Sequence, residues 1–180
     1  RGVTKVYPGT VALKEVDFSI VPGEVHALMG ENGAGKSTLI KILTGIYTKD
    51  SGKILFDGKE VQFLTAKQAQ ESGISTIYQE LNLVPQLSVA ENMFLGRQPM
   101  HACGINWKAV FAETERILSE LDIHIDIKRQ LGSYSTAVQQ MVAIARAVSM
   151  QAKLVIMDEP TSSLGDQEVL TLFNVIRMIK

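Results

Sequence analysis

The feature that most constrains this chain is the run Gly30-Glu31-Asn32-Gly33-Ala34-Gly35-Lys36-Ser37, which fits G-x-x-x-x-G-K-[ST] at each fixed position. At average residue frequencies such a match arises by chance on the order of one per cent of the time in a chain of this size. The glycines are needed because a loop wrapping a phosphate must reach φ values and backbone approach distances that a Cβ forbids. Backbone N–H groups of the loop and of the helix that follows then point at the anion. In that arrangement Lys36 reaches the β and γ phosphates and the Ser37 hydroxyl ligates Mg²⁺. Glycines serving only a tight turn would leave Lys36-Ser37 without a reason. A dinucleotide site would need G-x-G-x-x-G, whereas the spacing here is Gly30-x-x-Gly33-x-Gly35. Asp50 stands where a ribose-binding acid would, but it sits in a Ser-Gly turn rather than at a strand end, so that role is discounted.

The flanking patterns agree with strand, glycine loop and helix in that order. Residues 11–21 alternate apolar and polar (Val11, Leu13, Val16, Phe18, Ile20) and close on Pro22-Gly23, which predicts a strand. Residues 24–29 form a second strand pattern, and residues 37–43 are apolar at helical spacing. Turns at Asp50-Ser51-Gly52 and Asp57-Gly58 bracket a short strand over 53–56. Residues 65–72 read as helix and 74–78 as a short β-rich run. From Leu81 to about Ser135 helical segments dominate, notably 89–95 and 107–121, with no clear strand. That stretch reads as a helical subdomain inserted in an α/β core. A helix over 139–150, a buried strand over 154–157 and a helix over 167–179 complete the pattern.

Composition narrows the classes of partner. The 180 residues are 46% hydrophobic and 21% charged with net charge −1, which suits a globular domain and argues against broad attachment to nucleic acid. The single cysteine, Cys103, cannot form an internal disulfide. No window approaches the about 20 consecutive apolar residues of a membrane span, and no charged-then-apolar leader opens the chain, so a membrane link is expected through a partner. Starting at Arg1 and stopping at Lys180 inside an amphipathic pattern, the chain reads as a fragment.

A second motif completes the chemistry. Leu154-Val155-Ile156-Met157-Asp158-Glu159-Pro160 is an apolar strand ending in two carboxylates. Such a strand delivers Asp158 to a sheet's carboxyl edge, where it holds Mg²⁺ through the ion's water shell. Glu159 then polarises the attacking water as a general base. The alternative is a pair of solvated acids ending a buried strand, and the glycine-lysine loop upstream weighs against it.

With Tyr78-Gln79-Glu80 between them, these two motifs resemble the nucleotide-binding domain of ABC transporters. Within that family the sequence is most similar to ATPase subunits of bacterial monosaccharide importers of the ribose, galactose and galactofuranose type. The likeness rests on Tyr7-Pro8-Gly9, the run from Gly30 through Thr38, Tyr78-Gln79-Glu80-Leu81-Asn82-Leu83 and Gln139-Gln140-Met141-Val142-Ala143-Ile144-Ala145. It implies an α/β P-loop NTPase core with an antiparallel β subdomain and an inserted helical subdomain. The implied layout is one ATP-binding domain over 1–180, incomplete at its C-terminus. Residues 1–80 would be the β subdomain and P-loop core, 81–135 the helical subdomain, and 136–180 the signature helix, the acidic strand and the helix after it. Carried across by position, Tyr7 matches the aromatic that stacks on adenine, although an aromatic buried beside a turn is the bland alternative. Gly30, Glu31, Asn32, Gly33, Ala34, Gly35, Lys36, Ser37 and Thr38 match the phosphate-binding residues. Lys36, Gln79 and Glu159 take catalytic roles, and Ser37, Gln79 and Asp158 face Mg²⁺.

The sequence departs from the family at its signature, usually Leu-Ser-Gly-Gly-Gln, which binds the γ-phosphate of ATP held by the opposite domain. The matching residues are Tyr134-Ser135-Thr136-Ala137-Val138. Ser135 keeps the hydroxyl and Thr136 follows it, but Ala137 puts a Cβ where backbone should approach phosphate. Gly165 likewise stands where many relatives carry an aspartate. The resemblance implies a second ABC ATPase domain in the full polypeptide, with one strong and one weakened composite site. It also implies membrane permease subunits driven through residues 81–97, and an extracytoplasmic sugar-binding protein that acts indirectly. Location would be the cytoplasmic face of the membrane, peripheral through the permease. His26, His101 and His124 are expected to be ordinary surface or packing residues, with the family's switch histidine beyond Lys180, so the fragment should hydrolyse little. Two other classes remain open: an ABC ATPase acting on nucleic acid or ribosomes, which predicts basic surfaces, and a nucleotide-regulated binding module without turnover.

Overall fold

The computed structural model describes residues 1–77, 83–150, 152–158, 160–161 and 164–179. They form two compact units, Arg1–Ser75 and Thr76–Ile179. In the first, β1 (Val3–Tyr7) and β2 (Thr10–Val16) make an antiparallel hairpin turning at Pro8-Gly9, with Tyr7 opposite Thr10 and Lys5 opposite Leu13. The strand expected over 11–21 therefore starts at Thr10 and stops at Val16. α1 (Lys36–Leu43) turns Leu39, Ile40 and Ile42 inward, and Leu39 and Ile42 meet Val3, Leu13 and Ile54 in a small core. β3 (Ile54–Phe56) and β4 (Lys59–Val61) form a second hairpin. Its turn residues Asp57 and Gly58 have φ of 53° and 74°, the left-handed pair that a two-residue hairpin loop requires. α2 (Ala66–Glu71) is N-capped by Thr65, whose Oγ1 accepts from the Gln68 N–H.

The strand expected over 24–29 is not formed. Residues 21–30 are exposed throughout, Val25 at 61% and Met29 at 87%. A strand needs a neighbour for its N–H and C=O groups. The segment's bonds are local instead: Glu24 N–H donates to the Val21 carbonyl at 3.2 Å, and Glu24 Oε2 accepts from the Val21 N–H at 2.9 Å, closing the Pro22-Gly23 turn.

β5 (Ile74–Ile77), in which the chain passes from the first unit into the second, hydrogen-bonds β8 (Leu154–Met157). β8 is half-buried rather than buried, because β5 is its one strand partner among the described residues. Helices α3 (Val89–Phe94), α4 (Trp107–Glu120), α5 (Thr136–Ser149) and α6 (Asp166–Ile179) supply the larger core, where Val89, Met93, Val110, Leu118, Val142 and Leu172 are fully enclosed. α3 opens on a capping box: Ser88 Oγ accepts from the Glu91 N–H, and Glu91 Oε2 accepts from the Ser88 N–H at 2.7 Å. Sequence pattern missed one feature here, the hairpin of β6 (Met100–His101) and β7 (Gly104–Ile105), whose two-residue strands are too short to show a period. No helix among the described residues is long and apolar enough to cross a membrane.

Candidate nucleotide site

The glycine loop leads directly into α1, and its geometry is that of a cradle. Gly33 and Gly35 have φ of 84° and 90°, a region L side chains rarely adopt. A Cβ on Gly35 would lie 2.6 Å from the Ala12 carbonyl oxygen and 2.7 Å from Leu13 Cδ2, so β2 packs against the loop from beneath. Gly35 occupies the N-cap of α1 and no side chain caps the helix, which leaves the first-turn N–H groups for an anion. The first bond within the helix runs from Leu39 N–H to the Gly35 carbonyl at 2.9 Å.

Lys36 folds back over this loop. Its ammonium donates to the carbonyls of Gly30 at 2.5 Å and Glu31 at 3.0 Å, using two of its three N–H donors. Glu31, Asn32, Gly33 and Ala34 are exposed, Ser37 stands exposed on the first turn of α1, and Thr38 is half-buried. A phosphate chain fits this set: a loop closed to any Cβ at Gly35, an uncapped helix start and a positive charge. The Ser37 hydroxyl is the type of hard oxygen donor that Mg²⁺ takes.

Tyr7 ends β1 with its ring half-buried. Asp50, the residue discounted as a ribose ligand, is occupied elsewhere: its carboxylate accepts from the Val6 N–H at 2.7 Å and from Lys5 Nζ at 3.0 Å. The Val6 N–H and then the Lys5 ammonium hold its pKa below the ordinary carboxylate value.

At the end of β8, Asp158 donates its backbone N–H to the Ile77 carbonyl at 2.9 Å, which ties the acidic residue to β5. Gln79 and Glu159 lie outside the described residues. In the signature region Ser135 N-caps α5, its Oγ accepting from the Val138 N–H at 3.4 Å. Tyr134 is fixed by its hydroxyl on the Asp126 carbonyl at 3.0 Å and by the Arg129 guanidinium 4.9 Å from its ring centroid. Ala137 is 6% exposed, so its methyl belongs to the helical core, whereas Ser135 and Thr136 face outward.

The histidines behave as surface residues. His26 Nδ1 meets Glu24 Oε1 at 2.9 Å, His124 Nε2 meets Asp122 Oδ1 at 3.0 Å, and His101 Nδ1 accepts from the Cys103 N–H at 3.1 Å. His26, expected in a strand, lies in the irregular segment before the loop.

Comparison with known proteins decides the family. The sequence profile of the ABC transporter family matches residues 13–162. This chain is an ABC transporter family member. The cassette is 53% identical over all 180 residues to the galactose/methyl galactoside import ATP-binding protein MglA of Salmonella typhimurium, and covers 36% of that protein. It spans about a third of the length of such curated relatives. Among solved structures it is similar to the ADP conformation of the ATP-binding cassette MJ1267, with a TM-score of 0.82 and 26% identity, covering 98% of this chain and 73% of that one. It is also similar to the ATP-binding cassette MJ0796 in a dimeric post-hydrolysis state bound to ADP and Pi, with a TM-score of 0.78 and 25% identity, covering 98% and 79%. The fold is therefore that of ABC ATPase domains, an α/β P-loop NTPase.

Two residues of the cassette escaped sequence reasoning. Asn92 is 0% exposed, and its side chain binds the segment before α3 at four points. Oδ1 accepts from Val84 N–H at 2.7 Å, and Nδ2 donates to the carbonyls of Val84, Leu87 and Ser88 at 2.9, 3.3 and 3.0 Å. The available signal was an amide beside Met93 and Phe94 on a helix whose one charged residue, Glu91, is taken up by the capping box. Arg97 caps two helix ends, donating to the Met93 carbonyl at 2.7 Å and to Ser149 Oγ. Burial, then the neighbouring Arg146, lowers its pKa.

Proposed function

We propose that the cassette is the ATP-binding and ATP-hydrolysing part of a subunit that energises monosaccharide import. The observation that carries the ATP assignment is the loop from Gly30 to Ser37, with Lys36 poised over it and a bare helix start behind it. Import of a sugar is supported by the identity to a galactose/methyl galactoside import ATP-binding protein across the whole chain.

In this scheme the loop N–H groups and Lys36 bind the β and γ phosphates, exchanging the lysine's carbonyl partners for phosphate oxygens. By position in the family pattern Ser37, Asp158 and Gln79 would be the residues to hold Mg²⁺, and the ion would supply positive charge to the phosphates. Glu159 orients the attacking water and accepts its proton. Tyr7 stacks on the adenine. The exposed Ser135-Thr136 turn at the start of α5 faces the γ-phosphate held by a second ABC ATPase domain, and Ala137 in place of glycine weakens that composite site. The greater length of the curated relatives supports a second domain in the same polypeptide. Functionally, residues 1–80, 81–135 and 136–180 act as nucleotide core, helical subdomain and signature-to-acidic-strand segment of one domain. Residues 81–97 pass domain closure to permease subunits at the cytoplasmic face of the membrane, and an extracytoplasmic binding protein selects the sugar.

Phosphate release by the complete polypeptide, reconstituted with its permease, tests the assignment. Turnover should rise on supplying galactose-type sugar with its binding protein and vanish with Lys36→Ala. A Lys36→Ala rate equal to wild type removes the proposed role of the loop, and a rate that responds to nucleic acid rather than sugar moves the cassette to the non-transport class.

A further inference from the structure

The aromatic at the end of β1 does not stand alone. Tyr7 and Tyr47 meet edge to face, ring centroids 6.0 Å apart and planes at 74°, an arrangement the ring quadrupoles favour. Tyr47 is itself anchored in the turn after α1. Its N–H donates to the Lys41 carbonyl at 3.0 Å, and the Lys41 ammonium lies 5.3 Å from its ring centroid. On Tyr7, the Lys5 ammonium sits over the ring 5.6 Å from the centroid while paired with Asp50. The Tyr7 hydroxyl is buried and has no hydrogen-bond partner among the described residues, so no directional bond sets the plane of the ring. Packing sets it, and Tyr47 and Lys5 are among the groups packed on it.

From this geometry we infer that Tyr47 is a positioning residue for the nucleotide base, holding the Tyr7 ring in the plane on which adenine stacks. The inference rests on Tyr7 being the ring that takes the base. Lys5 lies over one face of Tyr7, and the inference assigns the base to the other. Without Tyr47 the ring can turn about its χ angles, and each stacking encounter must first recover the right plane. Tyr47 itself need never touch the nucleotide. It links the C-terminal end of α1 to the base site, while the N-terminal end of the same helix carries Lys36 and Ser37.

Calorimetric titration of the complete polypeptide with ATP and with inorganic tripolyphosphate tests this, reading the component of binding that Lys36→Ala removes. Tyr7→Ala should weaken ATP about tenfold or more, the loss of one base–aromatic stack, and leave tripolyphosphate within about twofold. Tyr47→Ala should weaken ATP roughly three- to tenfold, the scale of one aromatic pair, again with tripolyphosphate unchanged. Tyr47→Phe should restore wild-type affinity, and Tyr47→Ala should add nothing in a Tyr7→Ala background. Unchanged ATP affinity in Tyr7→Ala would sink the reading of Tyr7 and the inference with it. A loss in Tyr7→Ala alone, a Tyr47→Ala loss shared by tripolyphosphate, or one that persists without Tyr7 would overturn the positioning role while leaving Tyr7 in place.

Discussion

The Lys36 ammonium donates to the Gly30 carbonyl oxygen at 2.5 Å, closing the phosphate loop on itself. The lysine is thus already oriented over the loop, and a phosphate oxygen takes the place of a carbonyl. Lys36→Ala should lower ATP affinity on the order of 100-fold, the scale of two charge-assisted hydrogen bonds. Fluorescent-nucleotide titration of the complete polypeptide measures it, and a loss below threefold would show that the loop amides alone bind the nucleotide.

The loop glycines should not be equivalent. Gly33→Ala carries only the strain of a left-handed backbone, because nothing lies within 4 Å of its would-be Cβ, a cost of about 1–2 kcal/mol. Gly35→Ala adds to that strain a backbone clash with Ala12 and should cost a further ~1–3 kcal/mol. Chemical denaturation of the two variants should rank Gly35→Ala clearly below Gly33→Ala. Equal stabilities would mean that β2 moves away from the loop at no cost.

The contrast between these glycines shows what sequence could and could not reveal. G-x-x-x-x-G-K-[ST] identified the cradle because its chemistry is local: φ above zero and a helix start within eight residues. Helices over 89–94 and 107–120 were legible for the same reason, their apolar residues recurring at helical spacing, while the caps Ser88 and Asn106 emerged only from the structure. Residues 24–29 read as a strand because their apolar content permits one, yet a ladder depends on partners that no local pattern specifies. Tyr47 went unseen because its role is a contact with a residue forty positions away, and Asn92 because no pattern says which nearby backbone groups a side-chain amide will meet. Gly35 could be called a phosphate-loop glycine from its motif, but its contact with Ala12 required coordinates.

Asn92 ties residues 84–88 to α3 with a fully buried side chain. Asn92→Leu keeps the volume but leaves the Val84 N–H and up to three carbonyls without their partner. The expected loss is about 2–4 kcal/mol in chemical denaturation, against about 1 kcal/mol for Ser88→Ala, which removes one cap. Permease-coupled turnover should fall more in Asn92→Leu than in Ser88→Ala if the segment after residue 81 transmits closure.

Glu159→Gln separates binding from chemistry. The amide retains the size of the carboxylate but cannot accept the proton of water. ATP affinity should stay within about threefold of wild type while phosphate release falls at least about 100-fold, the contribution typical of a general base. Turnover within threefold of wild type would assign the proton elsewhere.

The Asp50 clamp makes a prediction in pH. Its carboxylate holds the Val6 N–H and Lys5, and these contacts lower its pKa in the folded protein. A group whose folded pKa lies below its unfolded value of about 3.9 contributes stability above that value and loses it as pH falls through the lowered one. Asp50→Asn removes the charge and keeps the shape, so the wild-type advantage over it should be constant from pH 6 to 8 and shrink below about pH 4. Because Lys5 also covers one face of Tyr7, the same variant should loosen the ring and weaken ATP slightly at neutral pH, with tripolyphosphate unaffected. Thermal unfolding across pH, read beside the two titrations, checks both arms. A stability difference that does not change with acid would show that Asp50 titrates alike in the folded and unfolded chain, and that its clamp on β1 does not depend on charge.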